Sequence, residues 1–241
     1  MQDILKDIVA HTHGLGFLTL VKVSNDDDDT VISSMTEDRS VVLAGKTHSK
    51  VSEFKGTFGM PNLGLLALHL KNPEYGSGKV AVIEAERNDE LVPTHLHFEN
   101  AGGDFENDYR FMNRVHIEEK LKTVKFKGAA FDIEFQPSIA SINRMKLQAA
   151  ANPEEVTFNA YVEDSNLIFR FGDASTHAGK FTFQADVAAL KHTWSWPVAQ
   201  TIAILSLPGT VTMSLSDQGA MKLNVDSGLT SYDYILPAQA K

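Results

Sequence analysis

The stretch FDIEFQPSIASINRMKLQAAANP, residues 131–153, holds a strand, a stop and a helix in 23 positions. FDIEF alternates apolar with acidic residues, the period of a strand with one buried face. Pro137 ends the strand, and Ser138 is placed to cap the helix that follows. On that helix Ile139, Ile142, Met145 and Ala149 cluster on one arc, while Ser141, Arg144 and Gln148 share the opposite arc. Arg144 is predicted to point away from the sheet, and Lys146 to reach solvent by laying its stem along the apolar flank. The chain carries a net charge of −9, yet no Asp or Glu occurs between Ser138 and Asn152. A solubilising helix in an acidic protein mixes both signs of charge. An anionic partner is the expectation this helix raises.

Outward from this stretch, the chain reads as the same order told twice. The first 110 residues open on an amphipathic helix, with Ile4, Leu5, Ile8 and Val9 on one face and Lys6, Ala10 and His13 on another. Strand-like runs follow at FLTLVKV (17–23), TVISSMT (30–36) and SVVLAGKTH (40–48), separated by turn residues. EFKGTFGMPNLGLLALHL (53–70) leads a strand into a helix with Leu63, Leu66, Ala67 and Leu70 at helical spacing. KVAVIEAERNDE (79–90) and THLHFENAGG (94–103) form a hairpin pair. After the helix at 139, EVTFNAYVED (155–164) and NLIFRFGD (166–173) pair around Asp164-Ser165-Asn166. GKFTFQADVAALKHTW (179–194) is predicted to repeat the strand-into-helix step through VAALKH, and PVAQTIAILSL (197–207) reads equally as helix or strand. TVTMSLSDQGAMKLNVDS (210–227) is a hairpin around Asp217-Gln218-Gly219, and LTSYDYILP (229–237) a last alternating strand.

Composition narrows the function classes. With 43% hydrophobic and 22% charged residues in 241, the chain is long enough for two cores, and it has no apolar run of membrane-spanning length. MQDILKDIVAHTHG, residues 1–14, mixes charge with apolar residues and predicts no signal peptide. Zero cysteines exclude disulfides, thiol nucleophiles and thiolate metal sites. A pI near 5.4 argues against a surface that grips nucleic acid all over, but not against a basic stripe on an acidic body. Six of the 22 Lys and Arg residues (Arg110, Arg114, Lys120, Lys122, Lys125 and Lys127) lie within 18 positions, and acids gather in NDDDD (25–29) and GGDFEND (102–108). NDDDD lacks the rest of an EF-hand loop and reads as a solvated turn.

Enzyme motifs are sparse. His95, His97 and Glu99 alternate onto one face of a strand and are ligand types for zinc or non-haem iron, so a metal-dependent β-rich enzyme is the competing reading. Their spread of roughly 13 Å along a strand opposes it unless a bulge intervenes. GSGKV (76–80) lacks the first Gly and the Ser/Thr of a phosphate loop and precedes a strand rather than a helix. No G-x-S-x-G, G-x-G-x-x-G or H-E-x-x-H occurs.

FKGTFGMPNLGLLALHL, FDIEFQPSIASINRM, the LSDQGAMKLNV hairpin and the closing YDYILPAQAK, in two similar halves, resemble the DNA sliding clamp family, most of all the clamps of T4-related tailed phages. The resemblance spans nearly the whole chain as architecture. It implies an α+β fold of two tandem clamp domains, each with antiparallel sheets and two helices, forming a ring. The domains are expected at 1–114 and 128–241, with an interdomain connector at 115–127. A six-domain ring from such a chain is a homotrimer that encircles double-stranded DNA without reading its sequence and tethers a DNA polymerase. A separate clamp loader, an intracellular setting in the host's cytoplasm, and no cofactor, metal, membrane or catalytic residue are also implied; a phage structural or interaction protein is a further alternative. The DNA-facing residues expected are Lys6, His13, Lys71, Arg144, Lys146, Gln148 and Lys191. Partner peptides are expected in a pocket of Val115, Ile117, Leu121, Tyr234, Ile235, Leu236 and Pro237.

Overall fold

A computed structural model describes residues 1–25, 28–87, 90–122, 128–173, 175 and 177–239. The chain divides into two compact units. The first comprises Met1–Thr36, Leu43–Val124 and Ser227–Tyr232; the second comprises Glu37–Val42, Lys125–Asp226 and Asp233–Lys241.

In the first unit α1 (Gln2–His11) precedes a 3-10 turn at His13–Leu15, then β1 (Val21–Asn25), β2 (Thr30–Met35), β3 (Val42–Thr47) and β4 (Gly56–Met60). These four strands lie in the order β4-β1-β2-β3. β2 alternates strictly between buried and half-buried positions, with Thr30, Ile32 and Ser34 inside, as a one-sided sheet requires. After β4 come α2 (Leu63–Lys71), then β5 (Lys79–Arg87), β6 (Glu90–Glu99) and β7 (Glu106–Arg110), which form the separate antiparallel sheet β5-β6-β7. Leu5 and Ile8 of α1 and Leu63 and Leu66 of α2 are buried, and the two helices pack on each other.

One expectation for this half needs correction, and two further features go beyond what the sequence reading placed. The first strand begins at Val21, not Phe17, because Gly16 takes a left-handed turn (φ 83°) and residues up to Leu20 stay outside the ladder. GGDFEND, an acid cluster by composition, enters β7 with its second half. The connector carries a helix, α3 (Arg114–Lys120), capped by the Asn113 side chain accepting from the His116 amide and braced by an Arg114–Glu118 ion pair at 3.0 Å. α3 falls almost wholly within the expected connector at 115–127, and among the described residues the expected first domain holds two α-helices, α1 and α2.

In the second unit β8 (Ile133–Phe135) leads into α4 (Ile139–Ala151), whose N-cap is Ser138, its hydroxyl accepting from the Ser141 amide at 3.0 Å. β9 (Thr157–Glu163) and β10 (Asn166–Phe171) meet across a two-residue turn, Asp164 and Ser165, both at positive φ (50° and 60°), the backbone twist that suits a tight hairpin. β11 (Gly179–Gln184) and β12 (Trp194–Pro197) complete the order β11-β10-β9-β12. Phe158, Phe169 and Phe183 stack at its centre, with ring centroids 4.6 and 4.2 Å apart. α5 (Val198–Leu205) then leads to β13 (Thr210–Ser216), β14 (Ala220–Asp226) and β15 (Thr230–Pro237), the last with Thr230–Tyr232 counted in the first unit and Asp233–Pro237 in the second; their order is β15-β14-β13-β8.

The helix expected at VAALKH does not form. Asp186 stands at positive φ (56°), and the Asp217 carboxylate accepts the amides of Lys191 and His192 at 2.8 and 2.9 Å, tying the segment down as a loop. The strand-to-helix step falls later, from β12 into α5, and PVAQTIAILSL resolves as helix from Val198.

Candidate nucleic-acid interface

The helices decide where an anion can be met. α4 rests on β11, β10 and α5 through its later turns, with Met145 fully buried. Arg144 and Lys146 are exposed, as their positions on the helix predict. Gln148 departs from its predicted arc: it packs on Gly179 of β11, where a Cβ would collide with its amide, so it is half-buried and turned inward. Ile139 departs the other way, 79% exposed, because it lies in the first turn, before the helix meets the sheet. α5 carries no ionisable residue.

In the first unit Lys6 on α1 and Lys71 at the end of α2 are exposed. His13 is exposed too, but it lies on the 3-10 turn, beside Gly64 of α2, rather than on α1. Asp3 is exposed, whereas Asp7 is turned inward: it accepts from the Tyr232 hydroxyl at 2.8 Å and the Ser227 hydroxyl at 3.0 Å, and lies 3.2 Å from His11 Nδ1. Burial works to raise its carboxyl, but the hydrogen bonds of His11 and Tyr232, with the charge of His11, hold it below the usual range. Of the two acids on α1, Asp7 is thus held by hydrogen bonds within the fold and only Asp3 lies on the outer face. Lys191, expected near a helix, sits instead in the loop held by Asp217.

Several other cations are ion-paired. Lys46, Arg110, Arg114 and Lys180, on β3, β7, α3 and β11, each have a carboxylate within 3.3 Å. Among the described residues Lys6, Lys71, Arg144 and Lys146 have no carboxylate partner, which leaves their charge available over a Debye length of about 8 Å at physiological salt. The outer faces also carry Leu65 and Leu68 on α2 and Leu147 on α4, from 44% to 71% exposed. Sequence reading passed over these leucines, though the inward spacing of Leu63 and Leu66 already turned them out.

The metal reading does not gather. His97 Nδ1 and His95 Nε2 converge on Asp108 Oδ1 at 3.0 and 3.4 Å, not on Glu99, and the Arg110 guanidinium lies 3.2 Å from His95 Nδ1, where its charge opposes a divalent cation. Among the described residues no group of three or more His, Cys, Asp or Glu is placed to hold a metal ion. GSGKV is glycine-rich for packing: a Cβ on Gly78 would collide with the Glu99 carbonyl. Asp26 and Asp27 of NDDDD, and Lys125 and Lys127 of the basic segment, lie outside the described residues.

Of the residues expected to receive partner peptides, Val115 is 65% exposed, whereas Ile117 is fully buried against Gly59 and Leu121 is buried. In β15, Tyr234 and Leu236 are fully buried, Ile235 is half-buried and Pro237 exposed.

This succession of strands and helices is the sliding-clamp fold, two tandem clamp domains in one chain. Solved structures of PCNA proteins share it. The PCNA of A. fulgidus, in a structure with the C-terminal region of FEN-1 bound, superposes with a TM-score of 0.68 at 10% identity, covering 100% of this chain and 97% of that one. PCNA from Thermococcus kodakaraensis superposes with a TM-score of 0.67 at 9% identity, covering 99% and 97%. No protein family matches the chain in sequence. No curated protein does either. Among the described residues no helix is long and apolar enough to cross a membrane.

Proposed function

We propose that this chain is a DNA sliding clamp that holds a replicative polymerase on duplex DNA, a scaffold rather than a catalyst. The observation that carries the reading is the clamp fold over the whole chain together with exposed cations that have no carboxylate partner among the described residues, on helices that are poor in acid. A clamp must attract phosphate without reading bases, so that it stays on DNA yet slides. Four separated cations and no base-reading array suit that task, and an acidic body repels DNA from the outside.

A ring of six such domains requires three chains. A separate loader would open it, and the finer likeness to T4-related phage clamps would place the work in an infected bacterial cytoplasm. Apolar anchors of partner peptides would use Val115 in the first unit and Ile235 and Pro237 in the second, since Ile117, Tyr234 and Leu236 are committed to their cores.

Light scattering over a concentration series tests the assembly: three times 26.5 kDa, about 79.5 kDa, is expected. Retention on a nicked circular plasmid after loading, abolished when the plasmid is linearised, tests the topology. A persistent monomer, or equal retention on circle and linear DNA, overturns the reading.

A further inference from the structure

Among the described residues no strand pairs with the outer side of β7 in the first unit or of β11 in the second. An open strand edge is a row of unpaired amides and carbonyls that folded proteins normally cover. Within the first unit the repeats of these two edges cover each other. There β3 pairs with the start of β15: the His48 amide donates to the Leu229 carbonyl at 2.9 Å, and a Cβ on Gly45 would meet the Tyr232 ring at 2.9 Å. Numbers rise on one strand as they fall on the other, so the pair is antiparallel.

The repeat carries this pairing over to β11 and β7 residue by residue. β4 and β12 correspond, because Gly59 is bridged by Met112 just beyond β7 and Ser195 by Gln239 just beyond β15. Tyr232 stands seven residues before Gln239, and Phe105 seven before Met112. From the same bridges, the row Phe58, Val23, Ile32 matches the row Trp194, Ala160, Phe169. Gly45 lies beside Ile32, and Phe181 lies opposite Phe169. Gly45 with Tyr232 therefore repeats as Phe181 with Phe105, and one step along each strand sets Lys180 opposite Glu106. β7 and β11 are not neighbours within one chain, so the partner that satisfies both edges is a second copy. The two surfaces differ, which makes the contact head-to-tail and able to close a ring.

We propose, resting on the clamp reading, that β7 of one copy pairs with β11 of the next, Phe105 against Phe181 and Glu106 against Lys180, and that His97 makes this joint acid-sensitive. Phe105 is 43% exposed although its repeat, Tyr232, is fully buried. A groove of about 580 Å³ lined by Glu106, Asn107, Asp108, His95 and His97 leaves room at β7 for a neighbour's side chains. Opposite charges and aromatic rings directly across a ladder stabilise it. His97 Nδ1 lies 3.0 Å from Asp108 and Nε2 lies 3.7 Å from Glu106, so a protonated ring competes with Lys180 for the Glu106 carboxylate. The other charges near Glu106 are Glu99 across the ladder, Lys79 beyond it on β5, and Asp108 and Arg110 on β7, with His95 across from Arg110. Near Lys180 they are Glu163 at 3.3 Å and Arg170, with His177 just before β11. Histidines are the groups that change charge between about pH 5 and 8. Each one here gains a positive charge beside a joint that needs Glu106 for a lysine, so the joint weakens as pH falls.

The chain has no cysteine, so introduced thiols report the register. The full chain with Phe105→Cys and Phe181→Cys should oxidise to a covalent product of three chains, whereas Phe105→Cys with Phe183→Cys, two positions out of register, should link far less. A disulfide confined to one chain, or equal linking by both pairs, overturns the joint. By light scattering on dilution, Glu106→Lys should raise the dissociation constant about fivefold or more, and adding Lys180→Glu should restore it. The natural chain should dissociate more readily at about pH 5.5 than at about pH 7.5, and His97→Gln should flatten that difference without weakening the assembly at the higher pH. A difference as steep in His97→Gln as in the natural chain overturns the role of His97. Trimers that form normally but never cross-link at Phe105 and Phe181 overturn this joint and leave the ring standing; a monomer at every concentration overturns the ring itself.

Discussion

Asp7 Oδ2 accepts the Tyr232 hydroxyl at 2.8 Å, joining the second turn of the first helix to the last strand of the chain, 225 residues on. The His11 ring stacks on Tyr232 with centroids 4.5 Å apart and an interplanar angle of 6°, and both His11 and the Ser227 hydroxyl also engage Asp7. A carboxylate with three partners, 10% exposed, is expensive to strip. Tyr232→Phe should therefore cost about 1–2 kcal/mol, and Asp7→Ala more, because it leaves a buried hydroxyl and imidazole with fewer partners. Urea unfolding checks both. Because the folded carboxyl is held below its unfolded value, its contribution is present above about pH 4 and lost as pH falls through the folded value. Asp7→Asn should flatten the acid limb of the stability curve.

Arg144→Glu should weaken retention on circular DNA without harming the fold. The side chain is exposed and has no carboxylate partner among the described residues, so the expected stability change is within about 0.5 kcal/mol. Each phosphate that the variant no longer neutralises lowers the salt slope by about 0.9. Arg114→Glu, which breaks an ion pair on α3, is the control that should leave the slope unchanged. Retention measured at several salt concentrations separates the two; equal slopes would remove α4 from the interface.

How much of this was legible in the sequence depends on the range of the signal. The Ser138 cap, the Asp164-Ser165 turn and the alternation of TSYDYILP are local, and the structure follows them. The Asn113 cap of α3 is equally local but is obscured by RVHIEEK, whose charges resemble a solvated linker. VAALKH has helical propensity that tertiary structure overrides, since Asp217, far along the chain, accepts its amides. Asp7 looks like a surface acid because nothing near it in sequence shows Tyr232. For the interface, Arg144 and Lys146 follow from helical periodicity, while Lys191 is misplaced along with its helix.

Gly78→Ala and Gly179→Ala should both destabilise, and in that order. A Cβ on Gly78 meets the backbone carbonyl of Glu99, which moves only if β6 moves, whereas one on Gly179 meets the end of the flexible Gln148 side chain. Overpacking of the first kind costs about 1–3 kcal/mol. Thermal melts should show Gly78→Ala clearly lowered and Gly179→Ala less so, with Gln148→Ala restoring much of the latter. Failure of that rescue would mean α4 does not pack on β11 through Gln148.

His95 should titrate below the usual histidine range. Desolvation is the main cause; Asp108 opposes it, and the charges of Arg110 and His97 add to it. Arg110→Gln should therefore raise the His95 value, and Asp108→Asn should lower it further. The Asp108 carboxyl is itself held down, chiefly by its hydrogen bond from His97. For a base whose folded value is depressed, the unfolded chain binds more protons, so stability is full above about pH 6.5 and declines as pH falls through the folded value. Proton NMR of the imidazole signals measures each shift directly. If Arg110→Gln moved the His95 value down instead, the guanidinium at 3.2 Å would be acting as a hydrogen-bond donor to the neutral ring rather than as a repelling charge. The electrostatic argument against a divalent cation at this site would then fall with it.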